Sequence, residues 1–168
     1  MKNFTKAGIV ALAAAFAGVA AAQTNGPTGI SARVGVQFPR VGDTVFAAGL
    51  DYKFSNFSVD QARPGYLSYL GLSADYYGKS NRYNIPLAVT YNIRANQVVF
   101  SAGIGLDIYK RGGGGNSDTS LGGQVGIAYE FGQSDTNTNA KPIFVQAKYF
   151  FTKDSDLGGL GLYLGVRF

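Results

Sequence analysis

Eight charged residues recur inside otherwise apolar stretches of this chain: Arg33, Asp51, Lys53, Asp75, Asp107, Glu130, Lys148 and Arg167. Four acids and four bases can carry protons, line a path for ions, or neutralise one another as ion pairs. Asp75 and Asp107 are the candidates for a carboxylate acid–base pair, although each is expected to answer Lys148 instead. The chain has no histidine and no cysteine, which removes Ser-His-Asp devices and thiol nucleophiles and leaves oxygen as the sole metal donor. Arg111 to Gly115 is glycine-rich, but no Gly-Lys-Ser/Thr follows, so it is not a phosphate loop. Asp154 and Asp156 lack the other ligands of a calcium loop. No metal site, no cofactor and no enzymatic activity are expected.

The elements that must position these charges are strands. In the last stretch, Leu160, Leu162, Leu164, Val166 and Phe168 share one parity, and Gly161, Tyr163, Gly165 and Arg167 the other. A period of two puts the large apolar groups on one face of a pleated backbone. The pattern recurs upstream: Ile30 to Phe38, Phe46 to Phe54, Tyr66 to Tyr77, Tyr83 to Ile93, Val98 to Tyr109, Leu121 to Phe131 and Ile143 to Phe150. Eight segments of about ten residues match the length a tilted strand needs to cross hydrocarbon. Pro86 interrupts the fourth, and a bulge is expected there because a closed barrel has no free edge.

The less greasy face is made of glycine, alanine, hydroxyls and the eight charges. A soluble barrel would place large apolar groups inside, whereas a bilayer selects the reverse. Charged residues form only 15% of the chain, which also disfavours a soluble domain. The formal charge of +5 comes from scattered bases that form no stripe, so no nucleic-acid partner is expected.

Residues 1–22 read as a cleaved signal peptide: Lys2 and Lys6, an alanine-rich apolar run, then Ala20-Ala21-Ala22. Removing its two lysines lowers the charge from +5 to +3. Residues 23–168 form one barrel domain, expected in the outer membrane after export through the periplasm. Outward aromatics toward strand ends, such as Tyr52, Tyr76, Tyr129 and Phe168, suit girdles at the two interfaces.

Signal peptide, eight alternating strands and the terminal Leu162-Tyr-Leu-Gly-Val-Arg-Phe168 together resemble the small eight-stranded bacterial outer-membrane barrels of the OmpX, OmpW and OmpA-transmembrane-domain type. The resemblance implies a closed, antiparallel, up-and-down transmembrane barrel. It also implies an assembly signal in Tyr163, Val166 and Phe168, read by the outer-membrane assembly machinery. It transfers no catalytic or ligand motif.

An eight-stranded lumen is just wide enough for its own side chains, so the eight charges are expected to form a plug in two clusters. Strand direction places Arg33, Asp51, Lys53, Glu130 and Arg167 in the half near the termini, and Asp75, Asp107 and Lys148 in the other. Arg40, Lys79, Arg82, Lys110, Arg111 and Lys153 are expected in outward loops, a basic rim for the phosphates of outer-membrane lipid and lipopolysaccharide. The expected role is structural or surface-interacting, as a monomer. The alternatives are a narrow channel for ions or small amphiphiles, and a secreted soluble barrel of lipocalin type with its aliphatic face inward.

Overall fold

The computed structural model describes residues 29–54, 66–79, 81–112, 116–131, 143–153 and 156–168. The expected signal peptide and Asp154 lie outside the described residues. The strands are β1 (Ile30–Pro39), β2 (Val45–Lys53), β3 (Tyr66–Lys79), β4 (Arg82–Ala95), β5 (Val98–Arg111), β6 (Asp118–Phe131), β7 (Ile143–Thr152) and β8 (Gly159–Arg167). Each pairs antiparallel with the next, and β8 closes on β1. Closure satisfies the backbone groups that an edge strand would leave without partners.

Alternation in the sequence becomes sidedness in the barrel. On β8, Leu160, Leu162 and Leu164 are exposed while Gly161, Tyr163 and Gly165 are buried. On β4, Leu87, Val89, Tyr91 and Ile93 point out, and Asn84, Pro86, Ala88, Thr90 and Asn92 point in. Ile104 and Leu121 are 77% exposed, whereas Arg33, Asp75 and Lys148 are each 2% exposed. The apolar exterior and ionic interior overturn the lipocalin-type alternative, which requires the opposite phase.

Paired residues do not lie at one height, because the strands are staggered. From Tyr66, the partners run through Ala95, Val98, Tyr129, Val145, Leu164, Val34 and Ala48. The circuit returns to β3 at Tyr76, ten residues past its start. Such a shear goes with strands tilted by roughly 35–45° and a narrow interior.

Two expectations about the strands are corrected. β3, β4, β5 and β6 are 14 residues long rather than about ten, because polar residues at their ends keep pairing beyond the apolar stretch. Lys110, Arg111, Asp118 and Thr119 therefore belong to strands rather than to a loop. Pro86 makes no bulge. The register from Ala74↔Leu87 to Tyr77↔Asn84 carries no extra residue on either strand, so the missing amide donor is absorbed by a gap in the β3–β4 ladder, while Pro86 stays opposite Asp107 on β5. Asn96, at φ 54°, supplies the left-handed conformation that the two-residue β4–β5 turn needs.

Candidate functional site

The interior divides into three levels, and the middle one holds the densest polar contacts. Arg33 on β1 reaches Asp75 on β3 with Nε at 3.1 Å and Nη2 at 2.6 Å from Oδ1. It spans β2 because Gly49 stands between them in the register; a Cβ there would lie 2.8 Å from both Nε and Nη2 of Arg33. Arg33 Nη1 pairs with Asp51. From β7, Lys148 Nζ donates to Asp75 Oδ2 and to Ser73 Oγ, each at 2.8 Å. Lys148 faces Gly126 on β6 and Gly161 on β8, so glycine again leaves room for a long cation. Two acids thus meet two bases on four strands. Each ion gains several charge-assisted hydrogen bonds, the condition under which buried pairs offset their desolvation.

Ser73 beside Lys148 has the composition of a nucleophile–base pair, but its hydrogen bonds oppose that role. Lys148 Nζ and Arg33 Nη2, at 2.8 and 3.1 Å, both donate to Ser73 Oγ, which itself donates to Asp75 Oδ2 at 3.1 Å. Both lone pairs of the hydroxyl are occupied, with Lys148 Nζ as one of its two donors. The set is an ionic lock across the barrel.

At the end where β1 starts and β8 finishes, Glu130 receives Arg94 through one carboxylate oxygen and Arg167, at 2.7 Å, through the other. Val99, Ala128 and Phe144 pack beside them. Above them toward the middle lies a cavity of about 40 Å³ lined in part by Ser31, Lys53, Thr90, Asn92, Gln146 and Arg167. At the opposite end, Tyr77, Phe150, Tyr163 and Ala47 form an apolar layer, with the Tyr77 and Phe150 ring centroids 5.1 Å apart.

This arrangement corrects the expected two halves. Arg33 and Asp51 join Asp75 and Lys148 rather than Glu130 and Arg167, because the stagger lifts β1 and β2 relative to β6. Lys53 is in no ion pair among the described residues; its Nζ lies 4.8 Å from the Tyr69 ring centroid. Asp107 does not meet Lys148. It is 3% exposed and leaves Oδ2 without a donor. Arg94 was not among the expected charges, although its parity continues that of Asn84 to Asn92 and marks it as inward.

The basic rim is likewise placed differently. Lys79, Arg82, Lys110 and Arg111 end or begin strands, and the register sets Lys79 opposite Arg82 and Arg82 opposite Arg111. Arg40 and Lys153 lie in turns; Arg40 Nε donates to Tyr149 OH at 2.9 Å. Of the residues assigned to an assembly signal, Tyr163 is buried in the lumen with Arg33 Cζ 5.5 Å from its ring centroid. Val166 and Phe168 close β8 against β1, with Phe168 N donating to Ile30 O at 2.8 Å.

The sequence matches no family model and no curated protein. Solved structures similar to it include the outer membrane enzyme PagL, with a TM-score of 0.54, 14% identity, and 82% of this chain and 99% of that one covered. Another is the outer membrane protein Ail of Yersinia pestis in a phospholipid bilayer nanodisc, with a TM-score of 0.49, 17% identity, and coverage of 85% and 99%. PagL overturns the expectation of no enzymatic activity: this barrel fold carries an enzyme there, so lacking histidine and cysteine removes particular devices and not catalysis as such. The fold of this chain is that of the small outer-membrane barrels.

Proposed function

We propose that this protein is an integral outer-membrane barrel with a structural or surface-interaction role and a lumen plugged by its own side chains. The observation that carries the reading is the inversion of polarity: aliphatic and aromatic groups cover the outside while Arg33, Asp75 and Lys148 are buried within. In water, an exterior of Val34, Leu162, Ile127, Val145 and their neighbours, each more than a third exposed, is an aggregation surface. Against acyl chains it is the expected lining. Stacked Tyr76 and Tyr83, with ring centroids 6.3 Å apart, and edge-on Tyr129 and Phe131, at 4.9 Å, supply aromatics toward opposite ends of the belt.

Several features favour a plug over the narrow channel. The ionic lock crosses the middle, the Tyr77–Phe150 layer lies above it, and the cavity of about 40 Å³ below has room for roughly three waters. Outward surface chemistry centres on Lys79, Arg82, Lys110 and Arg111, with Lys79 facing Arg82 and Arg82 facing Arg111 across the register. Lipid phosphate is the partner proposed for them, with export through the periplasm and passage through the outer-membrane assembly machinery.

In planar bilayers the refolded protein is expected to give no steady single-channel current; a persistent open level would overturn the plug. Asp75→Ala, which strands two buried cations, is expected to lower the unfolding free energy in urea by about 3–5 kcal/mol. A change below about 1 kcal/mol would remove the lock from its structural role. Replacing Arg82, Lys110 and Arg111 together with glutamine should weaken co-purification with lipopolysaccharide. Unchanged lipid per barrel would dismiss the rim.

A further inference from the structure

One wall of the exterior combines a fixed cation with an apolar groove. Arg40 follows Pro39 at the end of β1 and is exposed; its backbone amide donates to Gly158 O, just before β8. Its side chain reaches across β8 to β7, where Nε donates to Tyr149 OH at 2.9 Å and Cζ lies 5.9 Å from the ring centroid. Tyr149 packs in turn on Phe151, with ring centroids 4.8 Å apart. The two terminal guanidinium nitrogens have no acceptor among the described residues.

The register sets three outward rows beneath this cation on β1, β8 and β7. Phe38, Leu160 and Tyr149 form the first, Val36, Leu162 and Ala147 the second, and Val34, Leu164 and Val145 the third. Ala147 is the smallest of these side chains, and around it opens a hollow of about 660 Å³ whose walls include Val36, Leu162, Leu164, Ile127 and Val145. Other lining residues, Gly35 and Ala128 among them, have inward parity, so the sheet itself is the floor. A second hollow, of about 440 Å³, shares Val34 and Leu164 with the first and continues past Ala32 to Val166 and Phe168. An apolar groove thus descends from beneath Arg40 toward the end that holds Phe168. A guanidinium among Phe38, Tyr149 and Phe151 stands in the aromatic margin, the level of lipid headgroups, where a cation without a counter-charge is costly. Its free N–H pair matches the geometry of a phosphate, and the groove below matches an acyl chain. A lipid supplies both in one molecule.

We propose that Arg40 and the β7–β8–β1 groove bind one phosphate-headed lipid, with its phosphate on the terminal guanidinium nitrogens and an acyl chain in the hollow over Ala147. The proposal rests on the outer-membrane reading and adds to it a single defined lipid on one wall, away from Lys79, Arg82, Lys110 and Arg111 on β3 to β5.

The test is native mass spectrometry of the full chain refolded in detergent, titrated with phosphatidylglycerol or with diacylglycerol of the same chains. One phosphatidylglycerol should bind per barrel, and diacylglycerol at least about tenfold more weakly. Arg40→Gln should lower the phosphatidylglycerol affinity about tenfold and leave diacylglycerol unchanged. Ala147→Phe, which fills the hollow, should weaken both lipids, whereas Ala102→Phe, the same change on the outward face of β5, should weaken neither. Equal affinities for the two lipids, or phosphatidylglycerol binding that survives Arg40→Gln or Ala147→Phe unchanged, would overturn the proposal. So would competition by inorganic phosphate with Ala147→Phe silent, which leaves a phosphate site without a chain, or a lipid-free dimer abolished by Ala147→Phe, which gives the groove to a second copy. Should Ala147→Phe fail to fold, Ala147→Leu takes its place with the same outcomes. A chain that does not insert into lipid vesicles ends the outer-membrane reading itself; one that inserts but holds no phosphatidylglycerol ends this proposal alone.

Discussion

Asp75 sits at the centre of the barrel with an arginine on one oxygen and a lysine on the other. Remove that carboxylate and Arg33 and Lys148 are left in a lumen that offers them one partner, Asp51, on β2. Buried ions tolerate such an environment only when their geometry and secondary hydrogen bonds are satisfied, and Ser73 completes them here. The lock ties β1, β2, β3 and β7 together across the lumen, in addition to the ladders that tie neighbours around it. The glycines opposite the long cations follow from the same constraint, because eight strands leave no spare cross-section.

From this centre the interior changes character in both directions. Toward one end it becomes aromatic, through Tyr77, Phe150 and Tyr163, with the carboxylate of Asp107 set apart near Asn84. Toward the other it becomes cationic around Glu130. The outside stays apolar along the strands, with aliphatic residues at the waist and aromatics toward the margins. One continuous apolar surface around a graded polar interior is consistent with a barrel whose exterior is fixed by a bilayer and whose interior is fixed by packing and charge.

The strands and their sidedness were legible because both depend on local periodicity. In every strand from β1 to β8 the inward parity carries most of its glycines and charges, with Gly78, Lys110 and Gly123 on the outward parity. What local periodicity lacks is stagger. Arg33 looks low when strands are drawn side by side, yet a shear of ten residues brings it level with Asp75. Arg94 lies just past the apolar segment that ends at Ile93, so only its inward parity marks it, and the polar ends of β5 and β6 likewise extend beyond the apolar stretch. Pro86 shows a different limit: whether a missing donor forces a bulge depends on which neighbour faces it, and that is a property of register. The lack of histidine and cysteine was legible too, but the step from there to absence of catalysis was not physical, since the fold itself carries an enzyme in PagL.

The central claim is that the alternating exterior faces acyl chains while the opposite face is shut away. Because the chain has no cysteine, single cysteines can be placed at each position from Leu160 to Val166 and spin-labelled in lipid vesicles. Oxygen collision rates should then alternate with a period of two, high at positions 160, 162, 164 and 166 and low at 161, 163 and 165, with a water-soluble nickel reagent excluded from the first set. A flat profile, or one in which the nickel reagent reaches the leucine positions, would contradict the account.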